Sequence, residues 1–104
     1  MAIDLTAVTL AELRYAVALF EHRHFGRAAR ACNVTQPTLS AQIQKLERTL
    51  GIPLFERSSK SVQPTAAGER VIEQARLVLD ATERIRDLAE SGHEPLAGPL
   101  RLGV

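Results

Sequence analysis

The chain has 104 residues, 45% hydrophobic and 24% charged, a composition ordinary for one globular domain. It has no membrane-length apolar run, its start (MAIDLTAVTL) lacks a basic segment ahead of an apolar one, and its single cysteine, Cys32, cannot close an internal disulfide; membrane spans, export and disulfide scaffolds are thus not expected, and a cytoplasmic location is. Net charge is only +1, but Arg23, Arg27, Arg30, Lys45, Arg48, Arg57 and Lys60 face just Glu47 and Glu56 between positions 23 and 63, a local +5 suited to phosphate.

Thr9-Leu-Ala-Glu12 has the form of a capping box, and Leu10, Leu13, Val17 and Phe20 follow at helical spacing, so a first helix starts here. It ends at His22-Arg-His24, and the Ala-rich stretch from Phe25 to Cys32 predicts a brief second helix with Asn33 at its C-cap. Thr35 caps a third, in which Pro37 is tolerated because first-turn amides have no intrahelical acceptor to lose. Leu39, Ile43, Leu46 and Leu50 form its inward stripe, and Gly51 stops it.

The opposite face of this helix, spanning 35–50, is centred on Pro37, Ala41, Gln44 and Arg48 and flanked by Ser40, Thr38 and Lys45. It is polar and almost free of acid, where a merely solvated face would mix Glu with Lys. Next, 53–57 and 61–64 bracket a serine-rich tip containing Lys60 and predict a two-stranded hairpin, with Pro64 confining its second strand to an edge. Thr65 then caps a helix over 65–91, roughly 40 Å long. Val71, Ala75, Val78, Thr82, Ile85 and Ala89 form a heptad-like seam on it, with Ile72, Leu79 and Leu88 alongside, part to pack on the domain and part on a second copy. Residues 92–104 read as a hinge followed by the start of a further domain.

The fold expected is mainly α: a winged helix-turn-helix over 1–64, with a two-stranded β wing over 54–64, followed by a long linker or dimerisation helix. In that geometry the third helix enters the major groove N-terminus first. The amide of Gln36 suits adenine, Pro37 and the methyl of Thr38 suit a thymine methyl, and the hydroxyl of Ser40 suits either edge. Thr35, Ala41 and Gln44 share that side, while Arg27, Lys45, Arg57 and Lys60 suit phosphates or a narrow minor groove.

Phe25-Gly-Arg-Ala-Ala29, Val34-Thr-Gln-Pro-Thr-Leu-Ser40, Lys45-Leu-Glu47, Leu50-Gly51, Leu54-Phe-Glu-Arg57 and Thr65-Ala-Ala-Gly68 together resemble the N-terminal domain of LysR-type transcriptional regulators over about residues 9–91. Within that family, 21–25 and 32–40 look most like its peroxide-responsive members. The chain has no Gly-rich phosphate loop and no nucleophile–base motif, so neither catalysis nor a cofactor is expected. The resemblance implies a homodimer joined through the long helix, with two recognition helices on inverted-repeat promoter DNA. It further implies a tetramer in the intact protein, with RNA polymerase as a further partner, and an effector domain beginning near Gly98. Many family members carry Arg where this chain has Ala41, so a bidentate guanine contact is missing there and DNA shape is expected to carry more of the specificity.

Two other functions compete. One is a winged-helix interaction module that binds no DNA, against which the +5 patch and the polar helix start argue. The other is a metal-responsive regulator using His22, His24 and Cys32, too few ligands for a structural zinc site, so no metal is expected. Cys32 itself reads as a small buried residue.

Overall fold

A computed structural model describes residues 2–58 and 61–92. After a short 3-10 turn (Leu5–Ala7) come α1 (Leu10–His22), α2 (Phe25–Ala31), α3 (Gln36–Leu50), β1 (Phe55–Arg57), β2 (Val62–Pro64) and α4 (Ala66–Gly92). The strands pair antiparallel, Phe55 opposite Pro64 and Arg57 opposite Val62. This is the winged helix-turn-helix order expected. Lys60 at the wing tip, and the hinge and strand start expected beyond Gly92, lie outside the described residues. No described helix is long and apolar enough to cross a membrane.

Local chemistry sets most boundaries. The Thr9 hydroxyl accepts from the Glu12 amide and the Glu12 carboxylate from the Thr9 amide, both at 3.1 Å, closing the capping box of α1. At the end of α2, the Val34 amide donates to the Ala29 carbonyl and the Asn33 amide to that of Arg30, while Asn33 takes a φ of 59°. This is a Schellman closure with Asn in the left-handed position, and it makes the tight turn into α3. Thr35 accepts from the Thr38 amide to start α3, and Gly51, with φ of 75°, ends it.

One cap departs from expectation. His24 follows the C-cap of α1, yet its Nδ1 accepts from the Arg27 amide at 3.0 Å, so it is the N-cap of α2. His24→Ala should therefore lower stability in urea unfolding by about 0.5–2 kcal/mol, and His24→Asn should recover most of that. Equal losses in both variants would show that the ring acts by packing instead.

The core lies where α1 meets α2, α3 and α4. Ala16, Leu19, Ala28, Leu39, Ile43, Leu46, Leu54 and Ile72 are fully or almost fully buried in it. The apolar row expected on α1 is not its most buried one. Glu12, Ala16 and Leu19 are buried while Leu13, Val17 and Phe20 are half-buried and Leu10 is exposed, so the packing of α1 against α2, α3 and α4 centres on the row through Glu12, whose carboxylate is partnered by the Thr9 amide and Lys45.

Candidate nucleic-acid interface

On α3, burial of Leu39, Ile43 and Leu46, with Leu50 at the margin, turns the opposite face outward. Thr35, Gln36, Pro37, Thr38, Ala41, Gln44 and Arg48 are exposed and Ser40 is half-buried. No acid occupies the first turn. Pro37 lies within that turn, and the Thr35 hydroxyl donates to the Thr38 hydroxyl at 2.9 Å, leaving the latter's own proton available. The face thus presents an amide, hydroxyls and an apolar ring at the positive end of a helix dipole, a combination that suits base edges beside phosphates.

Neighbouring elements flank this face. Gln36 shares a cleft with His24 and Gly26 at the start of α2 and with Ser61 and Val62 of the wing. Gln44 and Arg48 share a groove with Glu47, Pro53 and Arg57. Arg27, Arg30 and Arg48 are exposed and form no ion pair among the described residues. Of these, Arg48 lies on the outward face of α3 itself and Arg27 and Arg30 on α2; the sequence marks Arg27 as a phosphate contact but gives no such role to Arg30 or Arg48.

The structure gives two of the expected phosphate cations other partners. Lys45 donates to the Glu12 carboxylate at 2.7 Å and to the Ala7 carbonyl at 3.1 Å. Glu12 is 0% exposed, so Lys45 neutralises a buried charge and ties α3 to α1. Arg57 pairs with Glu47 at 3.3 Å and lies over the Phe25 ring. Glu47, which the sequence reading left without a role, also accepts from the amides of Leu54 and Phe55 and so holds β1 against α3. Its partners lie seven to ten positions away across a turn, beyond the reach of helical periodicity.

Cys32 is buried, and burial pushes its thiol pKa up against the opposing charge of Arg14, which leaves little reactive thiolate. His24 is engaged as a cap, and no group of three or more His, Cys, Asp or Glu among the described residues converges as a metal would require.

The seam on α4 divides in two. Ala75 is buried and Val71 half-buried against the chain's own core, so the contact expected through Ala75 is made within the chain. Thr82 is half-buried, with its hydroxyl donating to the Leu79 carbonyl. Val78, Ile85, Leu88 and Ala89 are exposed, Ile85 by 65% and Leu88 by 73%. Beside this open stretch is an apolar groove of ≈ 550 Å³ lined by Leu5, Val8, Leu10, Leu50, Val71 and Val78 among others.

A family model for bacterial regulatory helix-turn-helix proteins of the lysR family matches residues 10–69. The hydrogen peroxide-inducible genes activator of Pectobacterium carotovorum subsp. carotovorum is 48% identical over 97 residues, 93% of this chain and 32% of that protein. Full-length OxyR from Pseudomonas aeruginosa, solved as a variant, superposes with a TM-score of 0.84 at 51% identity, over 88% of this chain and 31% of its own. The DNA-binding domain of BenM, solved in complex with benA site 1 DNA, superposes with a TM-score of 0.77 at 35% identity, over 88% of this chain and 99% of its own. The chain thus spans about a third of the length of the full-length relatives it matches.

Proposed function

We infer the function of this chain from its family: it belongs to the lysR family of bacterial regulatory helix-turn-helix proteins. It is read as the DNA-binding and dimerisation part of an OxyR-like transcription regulator of the hydrogen peroxide response, acting in the cytoplasm and not as an enzyme. Residues 1–64 bind DNA, 65–91 join two copies, and 92–104 lead to an effector domain. Helix α3 enters the major groove with Gln36, Pro37, Thr38 and Ser40 nearest the bases and Thr35, Ala41 and Gln44 on the same side. Arg27, Arg30, Arg48 and Lys60 meet phosphates. Two copies, joined along Val78, Thr82, Ile85 and Ala89, meet an inverted-repeat promoter site; in the intact protein two such dimers form a tetramer positioned to contact RNA polymerase.

One observation carries this reading: the outward face of α3 is exposed and free of acid over its first turns, it carries the unpaired Arg48, and the wing flanks it. A solvated helix has no need of that arrangement. The solved BenM complex adds that a domain of this family and fold binds DNA.

The test is an anisotropy titration of inverted-repeat promoter DNA and a scrambled duplex at several salt concentrations. The expected preference is about a thousandfold or more, with a steep salt slope. Gln36→Ala should weaken promoter binding by about 1–3 kcal/mol and leave the scrambled duplex unaffected. Equal losses on both would remove Gln36 from base reading, and a wild-type chain that binds neither duplex would favour the interaction-module reading.

A further inference from the structure

We propose that Glu47 is a positioning and specificity residue: it fixes the wing to α3 and holds the Arg57 guanidinium away from phosphate, which restrains sequence-independent binding. The inference rests on the DNA-binding reading above. One carboxylate oxygen of Glu47 accepts from the Leu54 amide at 2.7 Å and the Phe55 amide at 3.2 Å, where the chain enters β1. The other takes the Arg57 guanidinium at 3.3 Å, and that guanidinium also lies 5.6 Å from the centre of the Phe25 ring. Arg57 is thereby held between residues of α2 and α3.

The placement of this acid is what calls for a reason. Glu47 and Arg57 line the same groove as Gln44 and Arg48, on the flank of the face proposed to meet a polyanion. Holding the wing needs only an acceptor, and a Gln carbonyl could receive the same two amides. The negative charge adds something a Gln would not, the neutralisation of Arg57. Each arginine freed onto a phosphate adds about 0.9 to the salt slope, and sequence-independent binding consists almost entirely of such contacts. Withholding one lowers random binding by a larger share than promoter binding, which base contacts also support.

The experiment compares Glu47→Gln, Arg57→Gln and the double variant by salt-dependent anisotropy on the promoter and scrambled duplexes, with thermal melts of each protein. Glu47→Gln should steepen the scrambled-duplex slope by about one and raise that affinity severalfold. The double variant should return to the wild-type slope, and Arg57→Gln alone should leave it unchanged. An unchanged slope in a well-folded Glu47→Gln variant overturns the proposal, as does a steep slope that persists in the double variant. Should Glu47→Gln fail to fold, Arg57→Gln decides: a slope lowered by about one means that Arg57 already contacts phosphate and the proposal fails, whereas an unchanged slope supports it. Wild-type protein that binds neither duplex ends the DNA-binding reading itself, whereas selective wild-type binding with a flat Glu47→Gln response ends only the role given to Glu47.

Discussion

Gly68→Ala should lower stability by about 3 kcal/mol, the upper end of what overpacking costs, and depress the melting temperature by roughly 12–24 °C. A Cβ at this position would lie 2.0 Å from the Leu54 carbonyl oxygen, 2.9 Å from its carbon and 3.1 Å from the Thr65 hydroxyl oxygen. The obstacle is backbone, so no side chain can rotate away. That carbonyl also accepts from the Thr65 amide at 3.0 Å, and the Thr65 hydroxyl both caps α4 and donates to the Pro53 carbonyl. One methyl group would therefore push apart the joint between the wing and α4. Gly92→Ala is the control: nothing lies within 4 Å of its added Cβ, and Ala is the better helix former, so calorimetry should show no loss. A drop of only a degree or two for Gly68→Ala would mean that the joint yields freely.

Lys45→Met is expected to act on folding more than on DNA. It leaves the carboxylate of Glu12, 0% exposed, without its cation and should cost roughly 1–3 kcal/mol in urea unfolding. Adding Glu12→Gln should recover part of the loss, since removing both charges of a buried pair costs less than removing one. The salt slope for DNA should shift by well under one, because the Lys45 ammonium is already engaged by Glu12 and the Ala7 carbonyl. A slope lowered by a full unit with stability intact would mean that Lys45 leaves Glu12 for a phosphate in the complex.

These two residues mark where sequence reading stops. Thr9, Thr35, Thr65 and Gly51 declared the helix ends because capping is a contract between residues three or four apart, and Leu39, Ile43 and Leu46 declared the inward face of α3 through periodicity. The exposed face with Gln36 and Thr38 followed from the same arithmetic. Lys45 was legible as a cation on the outer half of α3, but its partner lies 33 positions earlier, and no local pattern reports a pairing at that distance. Gly68 stood in the sequence as the end of the Thr65-Ala-Ala-Gly68 motif, but the reason it lacks a side chain was not legible, since that need is created by the Leu54 carbonyl fourteen positions earlier. His24 was obscured for a different reason, because histidine stands outside the usual N-cap set and only the ring orientation reveals the cap. On α4 the heptad spacing was visible, but not which half the domain would cover, because that depends on where α1 lies.

The joint at Gly68 also makes α4 a lever. The Thr65 and Leu54 contacts clamp its near end to the wing, while its far end, from Val78 onward, is open to the proposed second copy. From the middle of the 78–89 stretch back to Ala66 the arm is about 26 Å, so a tilt of about 8° between paired helices displaces the opposite domain by roughly 3.5 Å, close to one base step of DNA. In such a dimer, a change too small to disturb any single packing contact would shift the two α3 helices in register along the duplex, and half-site spacing would be read through the angle of a hinge rather than through any residue that touches a base.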